Sequence, residues 1–131
     1  MIVVDSSVFI AILEQEPEAE HFLSIIRDAT RRLASAVTVY ETGIVIVARR
    51  GRQSAEEMMI FLAELGVEIV PFAEPYISQS LDAYSRFGKG IDPKARLNLG
   101  DCAAYALAKV LNVPLLFKGT DFSQTDVQQY V

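Results

Sequence analysis

Four acidic residues stand where an apolar element runs out or where an apolar helix face should continue. They are Asp5 after Ile2-Val3-Val4, Glu41 after Val37-Thr38-Val39-Tyr40, Asp101 after Leu97-Asn98-Leu99-Gly100, and Asp121 after Lys118-Gly119-Thr120. They lie 36, 60 and 20 residues apart, with no matching set of His or Cys. A carboxylate removed from water must be paired, hydrogen-bonded or protonated. Two unit charges ~4 Å apart repel by roughly 4 kcal/mol at an effective dielectric of about 20. Four such groups gathered together would force one or more to keep a proton. A hard divalent ion, Mg2+ or Mn2+, removes that conflict and prefers oxygen ligands. Once bound, it can activate water and stabilise charge on a phosphate under in-line attack.

Each residue has a plainer alternative. Asp5 and Asp101 are good helix N-caps, Asp121 is an ordinary turn residue, and Glu41 could serve a structural ion pair. Helical spacing puts Glu41 on a face shared with Val37, Ile44, Val45 and Ala48, and Asp101 at the head of a stripe with Ala104, Tyr105 and Ala108.

Whether the four can meet depends on the elements that carry them. Apolar, β-branched runs predict strands at 2–5, 33–36, 67–72 and 114–118, with a fifth, edge strand at 126–131. Helices are expected at 7–14, from Pro17 to about 30, at 38–50, at 54–65 (opened by a capping box, Ser54 to Glu57, and closed by Gly66), from Pro75 to 87, and at 101–112. Residues 88–99 hold Gly88, Gly90, Pro93, Lys89, Lys94 and Arg96 and read as a long loop. Strands alternate with helices and no tight hairpin joins two strands. The expectation is one domain, 1–131, of class α/β: a three-layer α/β/α sandwich with a central, mainly parallel four- to five-stranded sheet. Ligands of such sheets bind beyond the carboxyl ends of the strands, and all four carboxylates can reach that rim.

Composition bounds the rest. The 131 residues are 51% apolar, enough for a proper core. No apolar run spans a bilayer, and residues 2–13, holding Asp5 and lacking a basic flank, read as core and not as a signal peptide. A single cysteine, Cys102, is compatible with a reducing cytoplasm. Net charge is −5, yet with the four candidate ligands set aside thirteen acids face twelve bases. A nucleic-acid substrate is therefore not excluded, provided a local basic patch exists. Arg49, Arg50 and Arg52, with Arg86, Lys89, Lys94 and Arg96, are candidates for phosphate contact. Ser6, Thr120 and Asn98 are candidate supports for the acids, His21 is a surface side chain without partners, and Cys102 is a small core residue. Tyr40, Phe22, Leu23, Ile25 and Ile26 could build either a core or a docking surface.

Taken in order, the segments Ile2-Val3-Val4-Asp5-Ser6-Ser7, Tyr40-Glu41-Thr42, Gly88-Lys89-Gly90, Ala95 through Ala108, Gly119-Thr120-Asp121-Phe122 and Thr125-Asp126-Val127 resemble the PIN-domain nucleases, and among them the VapC-type toxins of bacterial toxin–antitoxin pairs. The likeness runs over essentially the whole chain. One departure is visible: Asp92 precedes Pro93 where relatives often carry His. The resemblance implies a PIN fold and Mg2+- or Mn2+-dependent endoribonuclease activity. It also implies a metal-binding and catalytic role for Asp5, Glu41, Asp101 and Asp121, targets such as tRNA or ribosomal RNA, homodimerisation, and inhibition by a cognate antitoxin. Two readings stand beside it: hydrolysis of small phosphate esters, and a silent module whose acidic rim docks a basic peptide.

Overall fold

In a computed structural model of the protein, residues 1–130 are described; Val131, the last residue of the expected edge strand, lies outside them. Four strands, β1 (Ile2–Val4), β2 (Arg32–Ser35), β3 (Val67–Val70) and β4 (Leu115–Leu116), form one sheet in the order β3-β2-β1-β4. Every pairing is parallel, with Val3 opposite Leu33 on one side and Leu115 on the other. Helices α1 (Ser6–Leu13), α2 (Ala19–Asp28), α3 (Ala36–Arg50), α4 (Gln53–Glu64), α5 (Glu74–Phe87) and α6 (Leu99–Leu111) connect them.

Pleating separates two cores. Ile2, Val4, Ala34 and Leu116 face Val8, Phe9 and Ile12 of α1, Phe22 and Ile26 of α2, Val39 and Ile46 of α3, and Met58 and Leu62 of α4. Val3, Leu33 and Leu115 face the other way, against Ala83 of α5 and Ala104, Tyr105 and Leu107 of α6. The three-layer α/β/α expectation therefore holds. Phe22 and Ile26 are core residues and Leu23 and Ile25 pack beside them, so of the candidate docking residues only Tyr40 is freely exposed.

Several boundaries differ from expectation. Pro17 precedes α2 without opening it, because the turn closes through the Ala19 amide on the Glu16 carbonyl. The expected capping box at 54–57 does not form: α4 begins at Gln53, and the Ser54 hydroxyl donates to the Gly51 carbonyl (2.6 Å). Gly66, at φ +71°, does end that helix. Helix α6 starts two residues early because Asn98 is its N-cap. The Asn98 side chain accepts from the Asp101 amide (2.8 Å), and the Asp101 carboxylate accepts from the Asn98 amide (3.0 Å). Asp101 is thus the third helical residue and not the cap.

Among the described residues the expected fifth strand reduces to a single parallel bridge between Gln129 and Leu115. The tail is held from outside the ladder: the buried Tyr105 hydroxyl donates to Asp126, which also pairs with Arg86 (3.2 Å) and Lys109 (3.3 Å). Tyr105→Phe should cost about 1.5–3 kcal/mol, the range for a hydrogen bond to a charged group, and should speed amide exchange at 127–130. Urea unfolding with wild-type stability and unchanged exchange would show that the two cations alone hold the tail.

Candidate functional site

Chain order runs outward from β1 through β2 to β3 and then returns to place β4 on the far side of β1. The crevice between β1 and β4 is the point where direction reverses, the usual place for a ligand in an open parallel sheet. Asp5 follows β1 directly. Its Oδ2 accepts from the Ser7 amide (3.0 Å), so it caps α1, while its other oxygen, Oδ1, is buried with no hydrogen-bond partner. The Ser7 hydroxyl accepts from the Lys118 amide (2.9 Å), which ties the exit of β4 to the start of α1. The Lys118 ammonium pairs with Glu18 (2.7 Å) and Glu16.

Glu41 comes from α3, whose N-cap is Ser35 at the end of β2. It is the sixth residue of that helix and so lies in its second turn, one turn later than expected. The helix buries Thr38, Val39, Thr42 and Ile46; the face holding Val37, Glu41 and Val45 is half-buried, and Ile44 and Ala48 are exposed. The buried stripe therefore lies about one residue further around the helix than the expected one. Glu41 sits at the margin of the core, yet its Oε1 is buried and without a partner. Its carboxylate abuts Gly100, in the first turn of α6. The Asp101 stripe is as expected, with every residue from Gly100 to Ala108 buried. Asp121 is exposed and opens a short 3-10 helix, Asp121–Gln124, in which the Ser123 amide donates to the Thr120 carbonyl (3.1 Å).

Electrostatics shows Asp5 and Asp101 responding to the acids around them. Burial pushes the Asp5 carboxyl up to about 6, and the neighbouring Glu41 charge adds to the rise. Burial likewise pushes Asp101 up to about 7, with contributions from Asp5, Asp121 and Glu41. Two carboxylates are only 3% and 8% exposed, for Asp5 and Asp101 respectively. The donor set is all oxygen and contains two orphaned buried acceptors, which fits a hard cation. Among the described residues, however, no three acidic, His or Cys side chains stand close enough together to share an ion as they are. The site is an open acidic rim.

The basic candidates divide sharply. Arg49 (3.4 Å) and Arg50 (2.9 Å) are both committed to Glu14, and Arg86 to Asp82 and Asp126. Lys89, Lys94 and Arg96 are exposed and make no ion pair among the described residues. Their loop is pinned at its base by the Leu97 amide on the Phe87 carbonyl (2.8 Å) and the Lys89 amide on the Leu97 carbonyl (2.8 Å). Arg96 has φ +57° between buried Ala95 and Leu97, which turns its side chain outward. Asp92 accepts from the Lys94 amide (2.8 Å) and shapes that loop. His21 is exposed on α2, and burial pushes the Cys102 thiol up to about 11, leaving it inert. The sequence assigned no role to Ser7, Ser35 or Gly100, and the only local signal at Gly100 is a glycine in a helical pattern where alanine is the better helix former.

The PIN-domain family model matches residues 2–128. Over 125 residues the chain is 39% identical to ribonuclease VapC30 of Mycobacterium tuberculosis, covering 95% of each. The chain belongs to the PIN-domain VapC ribonucleases. Its fold is also that of VapC20 from M. tuberculosis, described as a sarcin–ricin loop cleaving toxin, with a TM-score of 0.79 at 13% identity over 99% of this chain and 98% of that one. A toxin–antitoxin complex from Klebsiella pneumoniae matches with a TM-score of 0.71 at 16% identity, over 96% and 93%. At those identities the likeness is one of fold. Among the described residues no helix is long and apolar enough to cross a membrane.

The raised carboxyls have a consequence for this VapC-family protein without metal. Below about pH 4 both folded and unfolded chains are protonated at Asp5 and Asp101. Between there and pH 6–7 the unfolded chain releases protons that the folded one keeps, so raising the pH lowers stability. The melting temperature of the metal-free protein should fall from pH 5 to pH 7.5, and Asp5→Asn with Asp101→Asn should flatten that slope. Parallel slopes in the two proteins would mean that these carboxyls do not carry it.

Proposed function

We propose that this protein is a divalent-metal-dependent endoribonuclease that hydrolyses RNA phosphodiester bonds as the toxin of a toxin–antitoxin pair. The observation that carries the reading is the pair of orphaned, buried carboxylate oxygens on Asp5 and Glu41 beside Asp101, at the crevice of a VapC-family fold. Asp5, Asp101 and Asp121, with Glu41, would hold Mg2+ or Mn2+. When bound, the ion supplies an activated water and stabilises charge on the phosphate. The chain's own contributions are positional. The Ser7 amide fixes Asp5 and the Asn98 amide fixes Asp101, leaving one oxygen of each turned elsewhere. Lys89, Lys94 and Arg96 meet the RNA backbone on a loop that leads directly into Asp101. Structured RNA of the tRNA or ribosomal class is the substrate.

An antitoxin partner has a surface to occupy. Between α3 and α4 lies an apolar groove of about 770 Å³ lined by Tyr40, Ile44, Val47, Met59 and Ile60, of which Tyr40 is 72% and Ile60 60% exposed. It lies on the same helix as Glu41, so an occupant can cover groove and acidic rim together. A second apolar hollow, lined by Phe72, Ile77, Leu81, Tyr84 and Leu99, is the face we assign to the homodimer.

Asp101→Asn should keep its place in the α6 cap and its fold, yet lose cleavage of total RNA by more than the roughly 100-fold typical of losing an outer-sphere partner. Chelation should do the same to the wild type. Discrete fragments from the variant or the chelated sample would overturn the assignment. In an Asp101→Asn background, Lys89→Gln, Lys94→Gln and Arg96→Gly together should flatten the salt dependence of RNA binding by about two log units of affinity per log unit of salt, at ~0.7 per phosphate contact. Glycine is chosen at Arg96 because it suits the positive φ. An unchanged slope would place the phosphate contacts elsewhere.

A further inference from the structure

Gly100 occupies the second position of α6 and does not have a positive φ, so its backbone conformation is open to any residue. Alanine is the better helix former there. What glycine supplies is space. A Cβ built on Gly100 would fall 2.2 Å from Glu41 Oε2 and 2.4 Å from Glu41 Cδ and Oε1. All three atoms of the carboxylate therefore lie flat against the bare Cα. The turn cannot roll aside, because the reciprocal bonds between Asn98 and Asp101 clamp it on both flanks. Nor is Glu41 anchored by a donor at Oε1, which has no hydrogen-bond partner.

From this we propose that Gly100 is a positioning residue: its missing side chain seats the Glu41 carboxylate against the turn that carries Asp101. The inference rests on the reading that Glu41 belongs to the acidic site. A methyl group at 100 meets the far end of a flexible side chain, so the relief is rotation of Glu41 away from Asp101, with the helix intact. Gly100→Ala should therefore fold normally while weakening Mn2+ binding, and cleavage with it, by about tenfold or more, the range for losing a neighbour that orients a ligand.

The test is a double-mutant cycle on the full chain with Glu41→Ala, read by melting temperature without metal and by Mn2+ titration. Gly100→Ala should raise the melting temperature more in the Glu41→Ala background than in the wild type, because only the wild type has a carboxylate to displace. It should weaken Mn2+ binding in the wild type and have no further effect once Glu41 is gone. Equal melting shifts in the two backgrounds would overturn the seat. So would an equal loss of Mn2+ affinity in both, which would mean that the methyl disturbs Asp101 directly. If Glu41→Ala alone leaves Mn2+ affinity unchanged, the place of Glu41 in the acidic site fails, while the melting cycle still decides whether Gly100 seats it.

Discussion

Carboxylates withdrawn from water need a donor, a cation or a proton, and the carboxyl edge of this sheet offers too few of the first. The Ser7 amide serves one oxygen of Asp5 and the Asn98 amide one oxygen of Asp101. The ammonium nearest to this region by connectivity, that of Lys118, is already held by Glu16 and Glu18. Protons make up the shortfall, which is why both buried aspartates titrate well above the ordinary range. The fold accepts this because the parallel sheet is anchored elsewhere, by two apolar layers that pack on its opposite faces. Local instability at the edge is compatible with a site that waits for a cation.

The alternatives posed by the sequence, cap or ligand, are not exclusive. Asp5 uses Oδ2 to cap α1 and keeps Oδ1 unpaired, so capping leaves one oxygen free for a second role. Asp101 uses one oxygen in the reciprocal capping box, and its carboxyl still feels Asp5, Asp121 and Glu41. A carboxylate has two oxygens with about four lone-pair directions. Capping fixes the group's orientation by means of the first oxygen and so aims the second. Helix starts on this edge therefore act as mounts for the acids.

The parallel order of elements was legible because hydrophobic runs of period 2 and 3.6 alternate without hairpin signals. The strands were legible for the same reason, although each ends one or two residues earlier than expected, which leaves Asp5 just beyond β1 as the cap of α1. What escaped were features that depend on neighbours distant in sequence. The capping box at Ser54 failed because that hydroxyl found the Gly51 carbonyl, a competitor the local motif cannot reveal. The face of α3 was misplaced because Thr38 and Thr42 are fully buried, Thr42 by donating to the Thr38 carbonyl, so polar residues stood where apolar ones were sought. The basic candidates looked alike until their partners were known: Arg49 and Arg50 close on Glu14 from the other end of the chain's first helix, whereas the loop cations stand free.

Position 100 brings these strands of reasoning together. Helix propensity favours alanine, packing of a nearly all-buried helix favours any methyl, and the backbone angles permit either. Each local consideration argues against glycine, and one long-range contact argues for it: a carboxylate from a helix some sixty residues earlier lies against its Cα. A residue that local physics disfavours and a distant charged group requires is the expected mark of a functional site. Asp5 has the same character, since burying it strains the metal-free protein and an apolar residue would pack there without that penalty. The acidic rim is thus the region where this chain departs from the choices that would maximise its stability, and those departures converge on the crevice between β1 and β4.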